Sequence, residues 1–325
     1  MNQEQNQLNS KQKFINFSRR YPAVFITLAV FLSFSVISPY FLNMNNMGTI
    51  MSGNAVVMIA AIGETMVLLT GGIDLSVATI ISASAVISGQ AMSMTGSIAV
   101  GVLVAILVGI AFGLLNGFMI GYCKMSPFIT TMGTQLVARG IAFIVSQGIA
   151  VKGTPIELVY FGFSKVAGIP SIFLISVVLL ILSGIAVGKT TWGRQVILFG
   201  ANAKTAQYTG VDVRKIEAST YVFSGLFAGI AGFISIANLG NGIPGVGDTL
   251  LLIILGGVVL GGTSMSGGEG SITRTVIGIA LLAILTNGLS SIGVPFYDQL
   301  MVQGVLIFIG NGLAIKMSKK SEFAM

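Results

Sequence analysis

Long apolar runs alternate with short polar interruptions along nearly the whole chain. About 20 consecutive apolar residues cross the hydrocarbon core of a bilayer as a helix. The runs predict ten spans, at about 21–42, 48–70, 75–94, 97–121, 126–147, 170–188, 216–237, 248–263, 272–292 and 296–316. Proline agrees with this partition: Pro22, Pro127, Pro170 and Pro295 stand at span starts, where a missing N–H costs least. The pattern describes an all-α polytopic membrane protein. Its transmembrane domain covers 21–316, with polar tails at 1–20 and 317–325.

The interruptions orient the spans. Basic residues are retained on the cytoplasmic side. With the N-terminus inside, only Lys152 and Lys165 fall in external segments and Arg139 within a span, so both termini are expected in the cytoplasm. The largest external loop is then 148–169. Arg19 and Arg20 precede the run Ala23–Ile37 as in a secretory signal, but no small-residue cleavage site follows, which predicts an uncleaved first helix.

The longest cytoplasmic interruption, 189–216, is basic, with Lys189, Arg194, Lys204, Arg214 and Lys215. Within it Asn202 suits a helix N-cap and Gly210 a C-terminal stop, with about two turns between them. Such a helix is unstable alone in water and needs a surface to dock on. Ala203, Ala206 and Gly210 share a face small enough for close approach, and the segment lacks the large apolar face that would rest on lipid. Asn202, Ala203, Lys204, Thr205, Ala206, Gln207, Tyr208 and Gly210 are therefore the candidate residues for docking a cytoplasmic partner.

Composition narrows the class. Apolar residues make up 54% of the chain and charged residues 8%, where soluble domains carry about 25% charged. Histidine is absent and Cys123 is the one cysteine, which excludes an internal disulfide and argues against a metal site. The net charge of +7 follows from basic residues held on the cytoplasmic side and does not imply nucleic acid. No G-x-x-x-x-G-K-[S/T] loop is present, so ATP would have to be bound by another chain, and no cofactor is expected in this one.

Two glycine breakers interrupt the spans. Gly71-Gly72-Ile73-Asp74-Leu75-Ser76 follows span 2, with Asp74 placed to cap the next helix; Gly261-Gly262 opens a similar stretch, to Gly268, after span 8. Each reads as a helix–helix turn or as a hinge facing the cytoplasmic partner, the hinge candidates being Gly71, Gly72, Asp74, Gly261 and Gly262. A faint repeat pairs Pro127-Phe128, Gln135-Leu136 and Gly140 with Pro295-Phe296, Gln299-Leu300 and Gly304, and Asn116-Gly117 with Asn287-Gly288. Spans 2–5 and 7–10 would then be inverted copies, a common transporter plan. Gly109, Gly113, Gly117 and Gly121, like Gly225 and Gly229, recur every four residues and predict close helix packing.

Charges inside spans usually face a cavity or a partner. Glu64 and Arg139, with Asn54, Thr134, Gln135, Asn287, Gln299 and Gln303, are candidates for a hydrophilic solute route or for bonds between helices. Acidic residues are too sparse for a proton or sodium relay, which argues against an ion-coupled transporter. The lack of histidine and of clustered acids argues against a membrane enzyme.

GGIDLSV at 71–77, the run from Asn116 to Gly140, WGRQVILFGANAKTAQYTGV at 192–211 and GGTSMSGGEGSI at 261–272 occur in one order. With these the chain, from about Tyr40 to Ile315, resembles the permease subunits of bacterial ABC importers for ribose and other simple sugars. The resemblance implies a ten-span permease of the cell membrane, paired with a second copy or paralogue. It also implies an ATPase on the cytoplasmic face, which binds ATP and Mg, and an external solute-binding protein. It maps a coupling helix, seated in a cleft of the ATPase, onto Asn202–Gly210. A nucleoside importer of the same superfamily is the nearest alternative. The chain departs from the family's pattern at Leu250–Gly257, which lacks the two acids of an E-L-D-A-I-A-A-like stretch, and at Gln207-Tyr208-Thr209-Gly210, where an R-L-S-G-like end is common.

Overall fold

The structure, a computed structural model, describes residues 22–322. The tail expected at 1–20 and residues 323–325 lie outside the described residues. Helices α1 (Pro22–Ile37), α2 (Met44–Leu69), α3 (Val77–Thr95), α4 (Ile98–Gly117, continued by a π-helical turn to Tyr122) and α5 (Pro127–Ser146) come first. A short helix α6 (Ile156–Phe163) and a two-stranded hairpin of β1 (Lys165–Val166) and β2 (Ile169–Pro170) fill the loop expected at 148–169. Then follow α7 (Ser171–Lys189), α8 (Thr191–Ala201), α9 (Ala203–Tyr208), α10 (Val213–Leu239), α11 (Leu250–Leu260), α12 (Ile272–Ser291) and α13 (Phe296–Glu322). The last helix runs on through the start of the tail expected at 317–325.

Every expected span coincides with a helix. Seven helices among the described residues are long and apolar enough to cross a membrane, while the apolar stretches at Ala23–Ile37, Leu250–Leu260 and Phe296–Gly310 are shorter. The packing suits lipid as the solvent. The stretch Ile98–Tyr122, with a mean hydropathy of 2.9, is only 22% buried, whereas Met44–Leu69, at 1.6, is 83% buried. The most apolar surface is thus turned outward, and α2 is enclosed on every side from Ala55 to Leu69.

Helix α10 is the hub, packed along α4, α2 and α3. The glycine ridge explains the closeness of α4. A Cβ added at Gly113 would lie 2.7 Å from Tyr221 O and 2.9 Å from Val222 Cα, and one added at Gly109 would lie 2.9 Å from Gly229 Cα. Backbone meets backbone there, as small residues at four-residue spacing permit.

The span expected at 248–263 is shortened. Residues 240–247 hold Gly240, Gly242, Pro244, Gly245 and Gly247 and form no helix. Instead this linker runs down α3: Val151 and Gly242 exchange backbone hydrogen bonds at 2.9 and 3.1 Å, and Gly247 N–H donates to Ser82 Oγ at 2.9 Å. Helix α11 keeps 11 residues, about 16 Å of rise against a hydrocarbon core of about 30 Å. It therefore fills only the half of the bundle nearer α8 and α9.

Candidate functional site

Three features meet at the end of the molecule that carries α8 and α9. The first is the pair of short helices itself. Helix α8, missed by the sequence reading, is capped by Thr190, whose Oγ1 accepts from Gly193 N at 3.2 Å. It is pinned to α10 by Trp192, which donates to Ser219 Oγ at 2.8 Å and meets the Phe223 ring edge-on. Asn202 Oδ1 accepts from Thr205 N at 3.0 Å, the expected N-cap. At the other end Gly210 N bonds to Gln207 O at 3.0 Å and Val211 N to Ala206 O at 3.1 Å, with Gly210 at φ +83°. This left-handed double closure is the stop that glycine permits. Of the small face only Ala206 is turned inward: it is fully buried against the rest of the chain, because a helix this short leans on its own protein. Asn202, Ala203, Lys204, Thr205, Gln207 and Gly210 are exposed, and Tyr208 is 89% exposed.

The second feature joins the two breakers. Gly268 N–H donates to Leu69 O at 2.9 Å. A Cβ at Gly267 would stand 2.7 Å from Gly71 N and 3.0 Å from Gly200 O; one at Gly200 would stand 2.5 Å from Gly268 N and closer still to Leu69 O. Three backbones, Leu69–Gly72, Gly200–Ala201 and Ser266–Gly268, therefore touch with no side chain between them. The breakers, far apart in sequence, meet at the end of α8. Of the hinge candidates, Gly71 and Gly262 are exposed, whereas Gly72, Asp74 and Gly261 are buried.

The third feature is a closed polar network above this junction. Asp74 and Glu64 are fully buried. Asp74 N–H donates to Glu64 Oε1 at 3.3 Å. Asp74 Oδ1 accepts from Ser76 N at 2.9 Å and from Ser76 Oγ at 2.5 Å, and its Oδ2 accepts from Ser224 Oγ of α10 at 2.7 Å. Asn116 of α4 donates to Ser76 Oγ at 2.9 Å and accepts from Thr134 Oγ1 of α5 at 2.6 Å. Most buried polar groups find partners; here they tie the first turn of α3 to four other helices, while the buried Glu64 Oε2 has no hydrogen-bond partner among the described residues. Glu64 and Thr134, candidates for a solute route or for bonds between helices, lie inside this network. Gln135 is half-buried on α5. One turn further on, Arg139 pairs with Asp248 of the 240–249 linker at 2.9 Å, half-exposed, with the Phe143 ring 5.8 Å from its guanidinium carbon.

The remaining route candidates converge elsewhere. A cavity of about 310 Å³ lies between α2, α11, α12 and α13 and is lined by Asn54, Asn287 and Gln299. Gln303 sits one turn further along α13 and donates to Thr286 Oγ1 at 2.9 Å. Asn287 exchanges amide hydrogen bonds with Asn46 at 2.8 and 2.9 Å. Thr49, Gly53, Thr286 and Ser290 also line the space. Sequence reading missed them, although 49/53 and 286/290 follow the four-residue spacing that puts side chains on one helix face. Leu250 and Ile253 of α11 form part of the same lining.

The sequence that builds this glycine-jointed bundle matches a known family. Residues 46–310 match the family described as branched-chain amino acid transport system / permease component. The chain belongs to this permease family. Among its relatives, the ribose import permease protein RbsC of Bacillus subtilis (strain 168) is 36% identical over 309 residues, covering 93% of this chain and 96% of that one. The L-arabinose transport system permease protein AraH of Escherichia coli (strain K12) is 34% identical over 288 residues, 88% of this chain and 86% of its own. The D-allose transport system permease protein AlsC of the same strain is 32% identical over 323 residues, 95% and 97%. No solved structure matches. The permease is a multi-pass protein of the bacterial cell membrane and a transport subunit, not a catalyst.

Proposed function

We propose that this permease is the membrane subunit of an ATP-driven importer for a simple sugar or related small polar solute. The relatives with sugar names, each matched over most of both chains, support the solute class. The reading has ten spans over 21–316, both termini in the cytoplasm and inverted copies at spans 2–5 and 7–10. The end with α8 and α9 faces the cytoplasm. There an ATPase holding ATP and Mg docks on Asn202–Gly210. A second permease, identical or related, completes the pore, and an external binding protein delivers solute to the opposite end.

The observation that carries this reading is the exposed, doubly closed α9 set beside the three-backbone junction. A six-residue helix presenting Lys204, Gln207 and a bare Tyr208 to solvent has the form of a docking element. Its neighbour α8 touches both breakers, so force applied there reaches two helix connections at once. No covalent chemistry is required of this chain.

Replacing residues 202–210 by a Gly/Ser linker tests the proposal. Uptake is expected to vanish while the protein remains in the membrane at its normal level. Undiminished uptake, with the ATPase still co-purifying, refutes it. The family description points to a second solute class, branched-chain amino acids, and the chemistry of the cavity bears on that choice.

A further inference from the structure

The cavity exists because α11 is short. Helices α2, α12 and α13 continue past its first residue, Leu250, and the space that a full-length helix would occupy stays open. A void lined by apolar groups stays dry and empty, whereas a polar and roomy one takes up water or ligand. The wall here combines apolar side chains of α2, α11 and α12 with the amides and hydroxyls of Thr49, Asn54, Thr286, Asn287, Ser290 and Gln299, and holds no Asp, Glu, Lys or Arg. The Asn54 amide N–H is committed to Ile50 O at 2.8 Å and that of Gln299 to Val294 O at 2.8 Å. Among the described residues no hydrogen bond uses Asn54 Oδ1 or Gln299 Oε1. These are acceptors, and they suit a ligand rich in hydroxyl donors.

We propose that this cavity is a solute station inside a single copy of the chain, and that it takes a neutral polyhydroxylated small molecule. A zwitterion is disfavoured, because its ammonium and carboxylate would be desolvated with no charged partner in the wall. The volume of about 310 Å³ stands at the lower end of ligand pockets, roughly 300–1,000 Å³, which fits a monosaccharide. The proposal rests on the import reading only for the side from which solute enters.

Gly53 makes the station testable. It lines the cavity, and a Cβ added there meets nothing within 4 Å, so a side chain enters the void without moving backbone. In the full-length chain with Cys123→Ser, the Gly53→Cys variant is reconstituted in nanodiscs and labelled with a water-soluble maleimide. D-ribose, D-allose, L-arabinose, leucine and ribose 5-phosphate are the probes. At least one neutral sugar is expected to slow labelling about tenfold, the scale on which a site is mostly occupied, while leucine and ribose 5-phosphate leave it unchanged. Lys152→Cys, exposed in the loop after α5, reports general reactivity and is expected to ignore every probe. No protection by any of the three sugars, or protection by leucine or the phosphate, overturns the proposal. The readout needs no ATPase, so it is independent of whether α9 docks one. As a second arm, Gly53→Leu fills the void. Uptake is expected to fall at least about tenfold, again the scale of losing one bound state, with ATPase co-purification intact. Uptake within about twofold of the parent, well inside that scale, counts against the station.

Discussion

Gly200→Ala probes the three-backbone junction most directly. The new Cβ would lie 2.5 Å from Gly268 N, 3.0 Å from Leu69 C and closer still to Leu69 O. None of these atoms belongs to a flexible side chain, so the strain cannot be absorbed by a rotamer change. Restoring ordinary contact near 3.4–4 Å requires the end of α8 to withdraw by about 1 Å from both breakers, the kind of backbone shift that overpacking forces. Overpacking a closed site costs about 1–3 kcal/mol. The Gly268 N–H to Leu69 O bond, 2.9 Å long, joins the two breakers to each other and survives this withdrawal. The expected cost is about 1–3 kcal/mol, against about 1 kcal/mol for Gly210→Ala, where the space is open and only the left-handed φ is strained. The assay is thermal unfolding in detergent combined with uptake by cells. Gly200→Ala should lower the midpoint more than Gly210→Ala and depress uptake at temperatures where the protein remains folded. Equal midpoints for the two variants, with full uptake in Gly200→Ala, would show that the backbones do not touch as described.

Two other variants test the frame. Gly109→Ala sets a Cβ 2.9 Å from Gly229 Cα and nearer still to Gly225 O, so thermal unfolding should show a loss of about 1–3 kcal/mol. Gly133→Ala on the open side of α5, where nothing lies within 4 Å, should be neutral. The Arg139–Asp248 pair, with 52% and 32% side-chain exposure, should show a coupling below about 1 kcal/mol in a double-mutant cycle, because exposed pairs are screened. A coupling several times larger would mean that another subunit covers it.

Helices in this protein were legible because the sequence signals them locally. Prolines at helix starts, the Asn202 cap and the Gly210 stop act within one or two turns, and the structure places each where the pattern put it. Two features were not legible, for different reasons. The helix Thr191–Ala201 is amphipathic and polar at its start, so it merged with its basic surroundings. The linker 240–247 falls where an interruption between spans 216–237 and 248–263 is expected, but its course along α3 was hidden, because the bond from Gly247 to Ser82 joins residues 165 positions apart. The sequence leaves Glu64 between a solute route and a bond between helices for a third reason. An acid inside a span advertises a polar environment, but the sequence cannot tell a solute route from a closed network. Ser224 lies 150 positions from Asp74, and its bond to that carboxylate exists only in the fold.

The shortness of α11 connects the two ends of the molecule. Its first turns, at Leu250 and Ile253, form part of the cavity wall, and its last residue precedes the breaker at Gly261–Gly262. A Cβ at Gly261 would lie 2.7 Å from the carbonyl carbon of Arg274, so the end of α11 is held against α12. Five residues beyond that breaker, Ser266–Gly268 enters the junction with Gly200 and Leu69. From α8 to the cavity wall the chain therefore offers a contiguous route of one backbone junction, one tight turn and one rigid helix of about 16 Å. Coupling needs an element with two arrangements, and two elements, α2 and α11, run from the junction side to the cavity wall. A helix of full length would have plugged the cavity, and a flexible loop in place of α11 would not have carried a displacement to it. The same segment, Leu250–Gly257, is where the chain departs from the acidic pattern of the sugar permeases it resembles. Apolar residues in place of those acids leave the wall uncharged, so the departure falls on an element that, like α2, both lines the cavity and leads to the junction.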